Sequence, residues 1–282
     1  MHEHRVLTAT QLTRLAFTGT RCAQRRLRML HEYAVLDSFR PLVARGSAPQ
    51  HYTLGRTGAQ VLAAQHATDL AATGWRSSAT GRIGYSMTLG HDIAVNELFT
   101  LLSAHTRTAR APGTGLALWL SARSAARRWG DLTRPDAYAH WITDDHRLLP
   151  LFFEHDTGTE NLARLEARID TYANFATTTG TRPALLIHTA TTTRERNLRR
   201  RLASLARGHG LLVATTSAEY AASTPWGRCW TPLHPDWPRT TLDGLATCWP
   251  DLTEAPGLDT DSEQHIPQPF ADPVPPLPPG EE

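Results

Sequence analysis

The sequence predicts a mixed α/β protein of the α+β type, with a small helical module at the N-terminus and a larger domain built on a mixed sheet. Apolar residues recur every three or four positions within the first 32 residues, which indicates amphipathic helices. Between residues 91 and 215, short apolar runs typical of strands alternate with helical patterns. The chain has 282 residues and a hydrophobic content of 40%, enough for a small and a medium-sized packed domain.

The first 69 residues predict a helix-turn-helix unit followed by a β-hairpin. The pattern Thr8-Ala-Thr-Gln11 has the form of a capping box, which starts a helix. The predicted elements are a helix from Thr8 to about Phe17, a helix from Arg21 to about Glu32, strands at Val35–Phe39 and His51–Leu54 around a loop over residues 40–50, and a helix over residues 57–69. This order is typical of a winged helix, so we predict a winged-helix DNA-binding domain over residues 1–69.

The second of these helices carries long polar side chains on one face, opposite an apolar stripe. The face consists of residues at i, i+3, i+4 and i+7, namely Arg21, Gln24, Arg25 and Arg28. Arginine reads guanine edges and glutamine reads adenine edges in a major groove, and any arginine can hold a phosphate. Arg40 and Arg45 in the hairpin loop would reach the flanking backbone. Taken alone, such a face is more typical of a solvated helix; the helix-turn-helix-hairpin order around it favours DNA.

The remainder of the chain divides by composition. Residues 70–90 are rich in Gly, Ser and Thr, which predicts a linker or a partly ordered connector. Residues 91–250 predict a domain whose elements are a helix from His91 to Arg107, strands at Leu116–Leu120, Ala137–Trp141 and Leu148–Phe153, a helix from Thr159 to about Ala176, a strand at Ala184–His188, a helix from Thr193 to Arg207 and a strand at Leu211–Thr215. Residues 251–282 hold eight prolines and eight acids, which predicts a disordered tail.

Acidic residues stand at the ends of two predicted strands. Asp136 precedes the second strand of the larger domain, Glu154 closes the third, and Asp156 follows two positions later. Antiparallel strands joined by a turn bring such ends together, and alternate residues of a strand share a face, so we expect the three carboxylates to approach one point. Hard oxygen ligands of this kind bind divalent metals. The same residue types are also common in turns and helix caps, and the spacing alone leaves both interpretations open.

Several short motifs keep a set order along residues 5–215. They are Leu7-Thr8-Ala-Thr-Gln11-Leu12-Thr-Arg14-Leu15-Ala-Phe17, Arg25-Arg26-Leu27-Arg28-Met-Leu30, His91-Asp-Ile-Ala-Val95-Asn96, Trp119, Arg134-Pro135-Asp136-Ala137, Glu154-His-Asp156-Thr-Gly158-Thr159-Glu160 and Tyr172. With them the chain resembles the PD-(D/E)XK nuclease superfamily and, more closely, the replication-relaxation family of actinobacterial plasmids and integrative elements. The resemblance implies a winged helix followed by a PD-(D/E)XK-like mixed-sheet domain with flanking helices, acting on plasmid DNA in replication, relaxation or mobilisation.

The resemblance also assigns roles to individual side chains. Asp136 and Glu154 would be ligands of Mg²⁺ or Mn²⁺, with Glu97 as a further ligand. The superfamily's lysine would stand two residues after Glu154, where this chain has Asp156, and the chain contains no lysine at all. Arg168, on the following helix, is the candidate for its place, where it would hold a phosphate. An arginine is too basic to deprotonate water, so that activation would fall to the metal.

Three classes of function stay open on these grounds. The first is a metal-dependent plasmid endonuclease or nickase, whose catalytic set would be Asp136, Glu154, Asp156 and Arg168. The second is a non-catalytic DNA-binding factor of replication or transfer on a nuclease-like scaffold, and the third is a winged-helix transcription regulator. Double-stranded DNA is the expected partner in each, while a homodimer and replication or conjugation proteins stay open as further partners.

Other features of the sequence bear on location and on excluded classes. The start of the chain lacks the apolar stretch of a signal peptide, and no run approaches 18 apolar residues, so a cytoplasmic protein without a membrane partner is expected. Three scattered cysteines predict neither a disulfide framework nor a zinc site.

Overall fold

A computed structural model describes residues 1–43, 45–108, 112–159, 161–234 and 236–258, and there the fold is mixed α/β, as predicted. The elements in chain order are β1 (Leu7–Thr8), α1 (Ala9–Ala16), α2 (Thr20–Glu32), β2 (Leu36–Phe39), β3 (His51–Leu54), α3 (Arg56–Gln65), α4 (Ala79–Gly84), α5 (Leu89–Thr106), β4 (Gly115–Ser121), α6 (Ala122–Trp129), β5 (Ala137–Ile142), β6 (Leu148–Asp156), α7 (Leu162–Thr179), β7 (Ala184–Thr189), α8 (Thr192–Gly208), β8 (Val213–Ser217), α9 (Ala218–Ala221), β9 (Thr231–Pro232) and α10 (Leu242–Cys248).

The N-terminal unit packs two helices on a small antiparallel sheet of order β1-β3-β2. The predicted capping box is confirmed: Gln11 N donates to Thr8 Oγ1 at 3.2 Å, and Thr8 N donates to Gln11 Oε1 at 2.9 Å. Leu27 of α2 packs with Leu36 and Tyr52 of the sheet, so the inner face of α2 is fixed by apolar contact. The two short-range signals, capping and apolar spacing, therefore set the position of α2.

Residues 70–90, which the sequence predicts as a linker, are part of the folded structure. They contain α4, which packs against β2, and Ile83 of α4 is only 8% exposed. The indole of Trp75 donates to the carbonyl oxygen of Leu54 at 3.1 Å. The linker prediction is wrong for these residues, because two large apolar side chains anchor a segment whose overall composition is small and polar.

The N-terminal unit is joined to the rest of the protein through α1 and α5. Gln11, fully buried, donates from its amide nitrogen to the carbonyl oxygen of Ile93 at 2.9 Å. Arg14 forms an ion pair with Glu97 of α5, and Arg107 at the end of α5 donates to Leu15 O at 3.1 Å. Helix α5 thus lies between the unit that carries α2 and the larger sheet.

The larger sheet has six strands in the order β4-β5-β6-β7-β8-β9 among the described residues. Strands β4, β5 and β6 are antiparallel neighbours, whereas β6, β7 and β8 run parallel, as expected for strands joined by helices. One face packs on α7 and α8 through residues such as Ile169 and Leu202, and the other packs on α5 and α10 through Phe99 and Leu245. The sheet is therefore covered on both faces.

The chain stays packed beyond the predicted end of the domain at residue 250. Ala255 is 3% exposed, and its backbone nitrogen donates to the buried Tyr138 hydroxyl at 3.0 Å. The indole of Trp129 donates to Pro256 O at 2.9 Å. The prediction of a disordered tail is wrong for residues 251–258, because this segment supplies the partners that the polar tips of two buried aromatic residues need. Residues 259–282 lie outside the described residues.

Candidate functional site

Two of the predicted carboxylates meet where β5 begins and β6 ends. The antiparallel register pairs Ala137 with Phe153, which places Asp136 beside Glu154. The Asp136 backbone nitrogen donates to Phe153 O at 3.0 Å. Glu154 and Asp156, two residues apart on β6, are each 3% exposed. The structure therefore brings the strand ends together as the spacing suggests, and two of the three carboxylates are taken out of water.

Glu154 is held by two side chains of α7. Its Oε1 accepts a hydrogen bond from the Tyr172 hydroxyl at 2.6 Å, and its Oε2 forms an ion pair with Arg168. Burial raises the pKa of Glu154 well above its usual range, the neighbouring charge of Asp136 raises it further, and Arg168 opposes both effects. Arg168 thus faces the carboxylate from the next helix, as the resemblance implies. Tyr172, the last of the motifs that carry the resemblance, is also a donor to this site.

The Asp136 carboxylate is paired with His91, which is not among the predicted site residues. Its Oδ2 accepts from the backbone nitrogen of His155 at 2.8 Å and lies 3.0 Å from Nε2 of His91, at the start of α5. The hydrogen bond to Asp136 is the main cause that raises the pKa of His91. On the other side of this carboxylate, Nδ1 of His155 and Nδ1 of His188 are 2.9 Å apart.

Asp156 points to α8 instead of joining the other two carboxylates. Arg194 donates to both of its oxygens, from Nε at 2.6 Å and from Nη2 at 3.2 Å, and the Gly158 backbone nitrogen adds a third hydrogen bond at 3.0 Å. The side chains of Asp156 and Arg194 are 1% and 17% exposed. Arg194 and Asp156 therefore form a buried, bidentate ion pair that links the end of β6 to α8.

Glu97, predicted as a further metal ligand, faces the N-terminal unit. Its two oxygens are bound by Arg14 and by the Gln11 amide, the latter at 3.1 Å. It serves the contact between α1 and α5, and the structure does not group it with Asp136 and Glu154.

The donor set does not fit a bound Mg²⁺ or Mn²⁺. Such an ion needs several free oxygen ligands at roughly 2.0–2.6 Å. Here Arg168, Arg194 and His91 are each paired with one of the predicted carboxylates, so at least one oxygen of each carboxylate already has a partner. Within the described ranges, no group of three or more His, Cys, Asp or Glu side chains is arranged to hold a metal ion.

The polar face of α2 is open to solvent. Its four predicted residues are all exposed, while Ala23 and Leu27 on the opposite face are buried: the exposed set is Arg21, Gln24, Arg25 and Arg28. None of the four side chains makes a hydrogen bond or ion pair with another described residue. Arg40 and Arg45 of the hairpin loop are also exposed, and Arg40 is hydrogen-bonded to Gln50 and Ser47 of the same loop at 3.3 and 3.0 Å.

Comparison with known proteins places the chain in a family. A family model described as replication-relaxation matches residues 1–186, a stretch that includes α2 and every carboxylate considered above. No curated protein and no solved structure matches the chain. Among the described residues, every helix is too short or too polar to cross a membrane. Since the match covers well over half of the 282 residues, the chain belongs to the replication-relaxation family.

Proposed function

We propose that this protein is a duplex-DNA-binding factor that acts in the replication or relaxation of a plasmid or integrative element, and that it binds DNA without cutting it. The observation that carries the proposal is the face of α2. Three arginines and a glutamine stand on the exposed side of a helix whose other side is packed, and no described residue pairs with them. A helix of this kind, following a short helix and a turn, is suited to a major groove.

The family match supports the process in which the protein acts. Its printed description, replication-relaxation, names replication and relaxation, and the matched residues include the whole N-terminal unit. This favours a replication or transfer factor over the winged-helix transcription regulator that the sequence left open. The element order β1, α1, α2, β2, β3 and the sheet order β1-β3-β2 are those of a winged helix without its first helix, which supports that assignment for the unit.

The pairing of Glu154 and Asp156 with arginines supports a binding function over a metal-dependent nuclease. Arg168 is paired with Glu154 and Arg194 is paired with Asp156, so a guanidinium group of the protein already contacts each of these carboxyl groups. We therefore propose that the nuclease-like part of the fold serves as a scaffold in which arginines stand where the resemblance would require metal. Partners beyond DNA, including a second copy of the chain, stay predictions, as does the actinobacterial origin.

Replacing Arg25 and Arg28 together by alanine tests the proposal. Each lost phosphate contact lowers the slope of log binding constant against log salt concentration by about 0.9, so the double variant should bind duplex DNA more weakly with a slope flatter by about 1 to 2. The matched control is Arg147→Ala with Arg201→Ala, which also removes two charges, from side chains paired with Asp145 and Glu166. Affinity and slope equal to the control would overturn the proposal.

A further inference from the structure

The arginines of α8 divide into those that hold the fold together and those that do not. Arg194 is paired with the buried Asp156. Arg199 reaches across to β9, where it donates to Thr231 O at 2.6 Å and to Pro232 O at 3.0 Å. Arg201 is paired with Glu166 of α7. These three have partners on other elements and are accounted for by packing of the helix on the sheet domain.

Arg196 and Arg200 are exposed and are bonded only to their own helix in the described structure. Each donates to the side chain three residues before it, Arg196 to Thr193 at 3.3 Å and Arg200 to Asn197 at 2.6 Å. Four residues of helix separate them, about 6 Å along the axis, so both guanidinium groups lie on the same face one turn apart. A side chain tied only to a neighbouring turn keeps most of its five N–H donors for another molecule.

These two side chains border an open groove of about 490 Å³ on the surface of α8. The described residues that line it are Thr193, Arg196, Asn197, Arg199 and Arg200. Three of the five are arginines, and none is acidic or apolar. Glu195 lies between Thr193 and Arg196 in sequence, but its side chain points inward: it is 1% exposed and pairs with Arg239. The described wall of the groove therefore concentrates positive charge and contains no carboxylate.

We propose that this arginine groove is a second DNA contact, which binds phosphate groups of the backbone outside the segment read by α2. Guanidinium groups bind phosphate with paired N–H donors, and side-chain amides and hydroxyls add neutral ones. An acidic peptide offers the same charge, but protein interfaces also have an apolar core, and the described lining of the groove includes no apolar side chain. The inference rests on the proposed function, and it extends the DNA footprint beyond the N-terminal unit to a helix that follows the family match at residue 186.

The test compares Arg196→Ala/Arg200→Ala with the charge-matched control Arg147→Ala/Arg201→Ala in the full chain, with a long duplex as the probe. Thermal melting followed by circular dichroism establishes that both double variants fold. The groove variant should bind duplex DNA with a salt slope lower by about 2 than that of the control, and with unchanged sequence preference, since backbone contacts carry no base information.

The outcomes separate the two proposals. If the wild type binds through Arg25 and Arg28 but the groove variant matches the control, the groove is not a DNA contact and the proposed function stands. If the wild type binds no duplex, both proposals fall. If a polyglutamate peptide binds the wild type and not the groove variant, while the DNA slope is unchanged, the groove takes an acidic protein partner and the inference is overturned.

Discussion

Replacing Arg194 by alanine is expected to lower the free energy of unfolding by about 3–5 kcal/mol, the usual cost of removing one partner of a buried ion pair. The Asp156 side chain is 1% exposed and loses two hydrogen bonds; among the described residues, the donor that it keeps is the Gly158 backbone nitrogen. A buried carboxylate that has lost its counter-charge is costly in free energy. Urea unfolding followed by circular dichroism measures the loss.

Two variants separate the ion pair from other effects of the substitution. Arg201→Ala removes the same side chain from the same helix, but its pair with Glu166 is exposed to solvent, so its loss should be much smaller. Asp156→Asn combined with Arg194→Ala should recover much of the stability, because a neutral amide needs no counter-charge. Equal losses in Arg194→Ala with and without Asp156→Asn would show that Arg194 acts by packing and not by charge.

Truncation of Phe152 to alanine should cost about 3–5 kcal/mol of stability, as is common for a large core residue. Phe152 is 2% exposed and packs against several aromatic rings at centroid distances of 5.0–5.5 Å, those of Trp129, Tyr138, Tyr172 and Phe175. The cluster also fixes Tyr172, the donor to Glu154, so the substitution loosens the carboxylate site as well.

Phe152→Leu is the control for this prediction, because it keeps an apolar side chain and much of the volume and should cost clearly less. Denaturant unfolding measures the loss of stability in both variants. If the transition stays two-state, the midpoint shifts and the dependence of the free energy of unfolding on denaturant concentration is unchanged. A loss of under about 1 kcal/mol for the alanine variant would mean that the cluster collapses onto the cavity and does not position Tyr172.

Local signals in the sequence were sufficient for most of the elements that position α2. The capping box at Thr8 and the apolar spacing of Ala23 and Leu27 act within a few residues, so they can be recognised without the fold. The strand pair β5–β6 was also predictable, because a polar turn separates two apolar runs. Arg168 came from the family resemblance, which implies a basic residue on the helix after Glu154, and the structure pairs the two side chains.

The remainder depended on contacts between residues distant in sequence. His91 binds Asp136 across 45 residues, and nothing local to either position marks the pair. Arg194 binds Asp156 across 38 residues, so the sequence grouped that aspartate with Asp136 and Glu154 when its partner lies on another helix. Strand β9 has only two residues and forms by pairing with β8. The short helix α6 was not predicted; it follows β4 directly and packs against β4 and β5.

The sequence contains no lysine, so the basic residues that pair with Glu154 and Asp156 are arginines. A lysine beside two carboxylates can lose its proton when buried, whereas a guanidinium stays charged and forms directed pairs with carboxylate oxygens. Arg168 is paired with Glu154 and Arg194 with Asp156, so arginines of the protein contact both carboxyl groups at the end of β6. This supports a scaffold that positions DNA-binding surfaces and argues against a site prepared for an added cation.

The most direct measurement is the fate of a supercoiled plasmid incubated with the protein alone, with Mg²⁺ and with Mn²⁺, followed on an agarose gel before and after removal of the protein. Our account predicts a retarded band in every lane before deproteinisation, and plasmid that is still supercoiled in every lane after it. Nicked or linear plasmid that appears only with metal, and that disappears with Asp136→Ala, would contradict the account and show a metal-dependent nuclease.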